Sequence, residues 1–311
     1  MIVSVLLVVG GLVALTLGAD RFVVSAARIS ETLGISPILI GALVIGLGTS
    51  APEMLVSALA AGRGEIDIAV GNIVGSNTAN VTLVLGATAL VATAPARVRT
   101  IRREGVTMLV GLIVLTVLLW DRSLTRWEAV GLGAGMVVAA ALLVYWARRD
   151  VAEGLEPPDK EWWEGSVGRE VAIGLGTLVV TLVGADLLVR GASRLAADLG
   201  ITAAFVGLVI VAVGTSLPEL ATAMAAARRR ETDLVLGNVL GSNLFNSLAV
   251  GGIAGLVGPG AVSATFRPAM VLMVASGALA GVLVWTGRRL ERWEGAVLLA
   301  VFLAFVAFAA A

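Results

Sequence analysis

The sequence predicts an all-α membrane protein: ten transmembrane helices arranged as two inverted five-helix repeats. Three observations predict it. The 311 residues are 58% hydrophobic and 14% charged, with a mean hydropathy of +0.99, whereas a soluble domain carries about a quarter charged residues. Apolar runs of about 18 residues or more recur along the whole length, and the period-two alternation of a membrane barrel is absent. A long stretch of the first half returns in the second at a constant offset. Glu53 and Glu219, Ser76 and Ser242, and Asn80 and Asn246 all stand 166 positions apart, and so do Gly18-Ala19-Asp20 and Gly184-Ala185-Asp186.

Taken in order, the apolar runs place spans at 2–27, 36–61, 67–93, 104–120, 126–147, 168–193, 203–227, 232–257, 268–286 and 293–310. The chain opens on Met1-Ile2-Val3-Ser4-Val5 without a basic n-region, so this segment reads as the first span and not as a cleaved leader. The 38 glycines suit helices whose backbones approach closely in lipid. Of the 22 Lys and Arg residues, sixteen fall around connections that follow odd-numbered spans, among them Arg102, Arg149 and Arg229. Six, including Arg63 and Arg267, follow even-numbered ones. By the positive-inside tendency the odd connections are cytoplasmic and both termini are extracellular, with the plasma membrane as the expected location. Five spans per repeat is an odd number, so the second repeat enters from the opposite side. The expected division is 1–147 for the first repeat, 148–167 for a cytoplasmic linker and 168–311 for the second repeat. The linker holds Pro157, Pro158, Glu153, Glu156, Glu161, Glu164, Asp150 and Asp159. Its spacing is not that of a calcium-binding loop, and it reads as a solvated connection.

Composition narrows the chemistry. With no cysteine and no histidine, thiolate and imidazole ligands and imidazole proton relays are excluded. A net charge of zero points away from nucleic acid, and nothing calls for an obligatory protein partner beyond the lipid bilayer.

The repeated stretch carries the chemistry that remains. It reads Gly46-Leu47-Gly48-Thr49-Ser50-Ala51-Pro52-Glu53 and then Gly71-Asn72-Ile73-Val74-Gly75-Ser76-Asn77-Thr78-Ala79-Asn80. Its echo reads Gly214-Thr215-Ser216-Leu217-Pro218-Glu219 and Gly237-Asn238-Val239-Leu240-Gly241-Ser242-Asn243-Leu244-Phe245-Asn246. A carboxylate in mid-span costs about 2.5–3.5 kcal/mol on insertion scales and marks a cavity or pathway. Pro52 and Pro218 each remove a backbone donor, so the helix should break at Gly-Thr-Ser and free carbonyls at 46–49 and 212–215. Thr49, Ser50, Thr215 and Ser216 add hydroxyls. Ser76 and Asn80 lie four apart on one helix face, as do Ser242 and Asn246, and read as ligands. Asn72, Asn77, Asn238 and Asn243 read as helix-joining or capping residues. An oxygen-only set with two carboxylates suits a hard cation. It matches Ca²⁺, and the same oxygens can be divided among several Na⁺.

The two motifs and the ten-span plan resemble the alpha-repeats of the cation/calcium exchanger superfamily, most of all the short prokaryotic sodium/calcium exchangers. That resemblance implies a secondary antiporter exchanging Na⁺ for Ca²⁺ by alternating access. Spans 2, 3, 7 and 8 would form the ion core and spans 1 and 6 would slide across it. Asp20 and Asp186, on those sliding spans, read as interfacial or structural and not as ion ligands. The resemblance also implies Ca²⁺ ligation by Glu53 and Glu219 with the carbonyls of Thr49 and Thr215. Na⁺ ligation would use Ser50, Ser76, Ser216 and Ser242 with backbone oxygens at Gly46 and Ala212. Some relatives carry Asp where this chain has Asn246, and here both mates, Asn80 and Asn246, are amides, which argues against a K⁺ requirement. The residues leave a Ca²⁺/H⁺ antiporter open. An intramembrane enzyme such as a lipid pyrophosphate phosphatase would need basic residues converging on the motifs, and none stands near either.

Overall fold

The computed structural model describes residues 2–95, 98–152, 165–199 and 212–310. The helices are α1 (Ile2–Leu33), α2 (Pro37–Thr49), α3 (Ala51–Gly62), α4 (Ile66–Val91), α5 (Val98–Asp121) and α6 (Arg126–Ala152) in the first half. The second half has α7 (Val167–Asp198), α8 (Ala212–Thr215), α9 (Leu217–Arg228), α10 (Thr232–Val257), α11 (Phe266–Gly287) and α12 (Arg292–Ala310). Seven of these are long and apolar enough to cross a membrane, and α2 with α3 makes an eighth as a span broken by 44°. The expected spans fall on these helices, with four of them extended. α1, α6 and α7 run several residues past the expected ends, so that Arg28, Arg149 and Arg194 lie within helix, and α5 begins at Val98, ahead of the expected start, so that Arg99, Arg102 and Arg103 do too. Most of the linker, and the start of the seventh expected span, lie outside the described residues.

Burial ranks the helices. About three-quarters of the apolar window of α4 and of α10 is buried (72% and 78%), against 22–33% for the other long spans. α4 and α10 are therefore the centre, and the other long spans turn most of their apolar surface outward. Leu6, Val9, Leu12 and Leu17 of α1 are exposed, as are Leu175, Val179 and Val183 of α7. In water such a surface would drive aggregation; in lipid it costs nothing.

Close approach between backbones is what glycine permits here. A Cβ at Gly41 would lie 2.8 Å from the Leu234 carbonyl oxygen, and one at Gly46 would lie 2.9 Å from the Ser242 nitrogen. α2 thus lies directly on α10. The second such crossing joins α1 to α7. Gly11 faces Leu188 and Gly184, Gly18 faces Thr181, and Gly191 faces Ser4 and Leu7. Numbers rise on one helix as they fall on the other, so the pair is antiparallel. At one end of this pair, Glu170 is buried beneath Arg21 and Arg28 and accepts a hydrogen bond from Ser25 at 2.9 Å.

The connections meet in two groups. Ala94–Pro95 (β1) pairs with Arg289–Leu290 (β4), and Ser123–Leu124 (β2) pairs with Gly260–Ala261 (β3), each pair antiparallel. The first pairing joins connections that follow the third and ninth expected spans; the second joins those that follow the fourth and eighth. Polar contacts keep the same grouping. Asp150 takes Arg103 and Arg99, at 2.9 and 3.3 Å, while Asp67 accepts the Ser263 N–H at 2.8 Å and Arg267 donates to the Trp120 carbonyl at 2.8 Å. Odd connections lie together and even connections lie together.

Candidate functional site

The repeated stretches meet in the middle of the molecule. α2 ends at Thr49, Ser50 leaves helical geometry (φ −79°, ψ 6°), and α3 restarts at Ala51 with Pro52 in its first turn. Ser216 repeats the geometry (φ −89°, ψ 7°) between α8 and α9, with Pro218 in the first turn. These are the breaks expected from the two prolines, which deny a donor to the carbonyls four residues earlier. Each break puts a glutamate in the first turn of the restarted helix, where the positive end of the helix dipole favours a carboxylate. It also leaves the carbonyl end of the preceding segment facing the same place.

Glu53 is 0% and Glu219 is 1% exposed. The hydrogen bonds around them cross between the repeats. Ser50 donates to Glu219 at 3.0 Å, and Ser216 to Glu53 at 3.5 Å. Ser76 of α4 also donates to Glu53, at 3.4 Å. Ser242 of α10 lies 3.5 Å from the Gly46 carbonyl and 3.4 Å from the Asn238 side-chain oxygen. Gly46 is not a freed carbonyl in the sense expected from the prolines, since the Ser50 N–H also donates to it, at 3.1 Å.

Asn72 and Asn238 are joiners. Asn72 donates to the Glu53 carbonyl at 3.2 Å and to Ser57 at 2.9 Å; Asn238 donates to the Glu219 carbonyl at 3.3 Å and to Thr222 at 3.2 Å. Their side-chain oxygens face the threonine of the opposite repeat, Thr215 at 3.5 Å and Thr49 at 3.4 Å. Thr49 itself bonds back to the Ile45 carbonyl at 3.0 Å. Asn243 donates back to the Val239 carbonyl in the interior of its own helix, at 2.7 Å, and so neither caps an end nor joins helices through this bond. Among the described residues Asn77 has no side-chain hydrogen-bond partner, so there it neither caps nor joins. Ala212 opens α8, and its expected part was a backbone oxygen only.

Among the described residues, several buried atoms at this centre have no partner: one carboxylate oxygen of Glu53, one of Glu219, and both amide atoms of Asn80 and of Asn246. Buried polar atoms are nearly always satisfied, and each orphan costs about 1–3 kcal/mol. Four orphaned oxygens from two repeats, with serine hydroxyls and helix-end carbonyls beside them, form a donor set that a hard cation would complete. Among the described residues no group of three or more acidic side chains is placed to hold a metal ion, so a divalent ion here would have two carboxylates and otherwise neutral oxygens.

Both asparagines also begin a π-helical segment or lie in one, Asn80–Val84 in α4 and Phe245–Val250 in α10. A further one, Gly41–Ile45, leads into the first break. Such single-turn insertions concentrate at functional sites. The sequence held no sign of them beyond the polar residue in an apolar run.

The fold and site together define an integral membrane protein with an oxygen-lined, two-carboxylate centre shared by two related halves. The family assignment agrees: the chain belongs to the sodium/calcium exchanger protein family, whose model matches residues 3–147 and 170–311. It is 39% identical over 317 residues to CaxA of Alkalimonas amylolytica, covering 98% of each chain. It is 30% identical over 342 residues to the sodium/calcium exchanger MaX1 of Methanosarcina acetivorans, covering 98% of this chain and 97% of that one. A solved structure of the sodium-calcium exchanger NCX_Mj, soaked with Na⁺ and Sr²⁺, superposes with a TM-score of 0.87 at 29% identity, over 99% of this chain and 98% of that one.

Proposed function

We propose that this protein is a secondary antiporter exchanging Na⁺ for Ca²⁺ across the membrane by alternating access at the Glu53–Glu219 centre. One observation carries the reading: two buried carboxylates, one from each repeat, each with an oxygen that no group among the described residues satisfies. Family membership supports the reaction class, and the names of MaX1 and NCX_Mj support Na⁺ and Ca²⁺ as the ions. In this reading Ca²⁺ lies between Glu53 and Glu219 with the carbonyls of Thr49 and Thr215. Na⁺ ions use Ser50, Ser76, Ser216 and Ser242 and the backbone at Gly46 and Ala212. Asn80 and Asn246 supply oxygen dipoles without charge. Two carboxylates match one Ca²⁺, and sharing of the same oxygens makes the two occupancies exclusive, which is what couples the fluxes.

The membrane arrangement belongs to the same proposal. Ten spans form two inverted repeats, 1–147 and 168–311, with 148–167 as a cytoplasmic linker, the odd connections cytoplasmic and both termini extracellular at the plasma membrane. The antiparallel crossing of α1 on α7 supports it, because a two-fold axis lying in the membrane produces such a crossing between related helices. The odd-with-odd and even-with-even pairing of the connecting strands supports it as well.

Ca²⁺ flux in proteoliposomes under separately imposed Na⁺, H⁺ and K⁺ gradients tests the proposal. An outward Na⁺ gradient is expected to drive Ca²⁺ uptake, and an H⁺ gradient alone is not. Uptake driven by H⁺ and indifferent to Na⁺ would make the protein a Ca²⁺/H⁺ antiporter, and no Ca²⁺ flux under any gradient would end the reading.

A further inference from the structure

Each broken span ends in the same turn. Arg63 (φ −91°, ψ 1°) is followed by Gly64 at φ +79°, and Arg229 (φ −86°, ψ −1°) by Arg230 at φ +63°. The turn hydrogen bonds repeat residue for residue, from Gly64 to Ala61 and from Glu65 to Ala60, then from Arg230 to Ala227 and from Glu231 to Ala226. Arg63 and Arg229, 166 positions apart, are therefore presented by matching backbones.

Their partners do not match. Arg229 forms a two-pronged ion pair with Asp20 of α1, at 2.9 and 2.5 Å. The counterpart of Asp20 is Asp186 of α7, so the equivalent pair is Asp186 with Arg63. It is not formed. Asp186 instead holds Arg190 of its own helix at 2.8 Å, and among the described residues the Arg63 side chain, which is exposed, has no hydrogen-bond or ionic partner. Asp20 has no such neighbour to turn to, because the residue four further on is Val24.

The broken symmetry lies between two bodies. α1 and α7 bury their glycines against each other and carry Asp20 and Asp186, while the arginines belong to the turns that lead into the central helices α4 and α10. One pair lies with the odd connections and the other with the even ones.

We propose that Asp20–Arg229 and Asp186–Arg63 are alternate latches, one for each side of the membrane. In the conformation described, the first is closed and the second open. In the opposite conformation Arg63 takes Asp186 from Arg190, and Arg229 is released. This rests on the antiporter reading, since only a protein that opens to each side in turn needs both. The side chains of the closed pair are 40% and 47% exposed, so the latch is weak. A pair in such a setting biases an equilibrium by up to about fivefold, enough to favour a state without trapping it.

The chain has no cysteine, so introduced thiols are unique. Two double variants are placed in native membranes, Asp20→Cys with Arg229→Cys and Arg63→Cys with Asp186→Cys, and treated with a short bifunctional thiol reagent that spans an Asp–Arg pair. Both are expected to cross-link, and each cross-link is expected to stop Ca²⁺ flux until reduced. Adding Asp20→Asn to the Arg63/Asp186 cysteine pair should raise its cross-linking rate by up to about fivefold. Cross-linking at 20/229 with none at 63/186 overturns the proposal, and so does an Asp20→Asn change that leaves the 63/186 rate unmoved. The charge-exchanged variant Asp20→Arg with Arg229→Asp, expected to keep flux that Asp20→Arg alone loses, separates a latch from a folding defect. Cross-linking is read without any transport assay, so cross-links that form at both pairs in a protein without Ca²⁺ flux would count against the antiporter reading and leave the latches standing.

Discussion

Ser50 and Ser216 do the same work in opposite directions, each giving its hydroxyl to the other repeat's glutamate. The centre is therefore shared, and removing either carboxylate should disable the whole. Glu53→Gln and Glu219→Gln keep the volume and the serine contacts but leave one charge against a divalent ion. Loss of one partner from a buried charge cluster costs about 3–5 kcal/mol, so Ca²⁺ affinity should fall by at least ~100-fold and flux should be undetectable, with the thermal melting profile retained. Near-normal flux in either variant would mean the ion binds elsewhere. At Asn246 the expected change is one of kind. Asn246→Asp adds a third carboxylate to a pocket whose own amide atoms are unpartnered, and flux should become sensitive to pH or to K⁺ where the native protein's is not. Ca²⁺ uptake compared with and without K⁺, at several pH values, reads this directly.

At the scale of elements, two devices set the site: a proline-marked break in each of two spans, and glycine crossings that let backbones touch. The crossings can be tested with an internal control. A Cβ at Gly184 would lie 2.9 Å from the Leu15 Cα, while one at Gly10 would meet nothing within 4 Å. Overpacking of a filled contact costs about 1–3 kcal/mol, so Gly184→Val should lower the melting temperature in detergent by several degrees. Gly10→Ala should be neutral or slightly stabilising, since alanine is the better helix former. Equal melting temperatures for the two variants would show that α1 and α7 do not pack this tightly.

At the scale of the molecule, the arginine asymmetry and the pairing of connections predict an orientation. A cysteine introduced at Arg149 should be labelled only from the cytoplasmic side, and one at Arg267 only from outside. Labelling at 149 in intact cells with an impermeant reagent would reverse the topology. Charge gives the second test at this scale. With both glutamates ionised the site holds about −2, which one Ca²⁺ balances and three Na⁺ exceed. A three-for-one exchange moves one net charge per cycle, worth about 2.3 kcal/mol per 100 mV. Na⁺-driven Ca²⁺ flux should therefore respond to an imposed potential, and flux indifferent to voltage would exclude that stoichiometry.

The sequence by itself determined the helical membrane class, because the apolar runs needed to satisfy a backbone in lipid are local and long. It also determined the duplication and both broken spans, because proline, glycine and a mid-span glutamate act on the residues beside them. Tertiary structure decided the rest. That Ser50 serves Glu219 and not Glu53, and that Asn72 and Asn238 tie helices while Asn80 and Asn246 stay unpartnered, follows from how α2 lies on α10. No spacing along the chain encodes that placement. The π-helical turns at Asn80–Val84 and Phe245–Val250 were likewise hidden. They shift the helix phase by a fraction of a turn without changing the residue types that a periodicity reads. The pairing of Asp20 with Arg229, 209 positions apart, came from the relative position of two bodies, and the matching residues Asp186 and Arg63 remain apart because a packed arrangement of two related halves need not be symmetric at every instant.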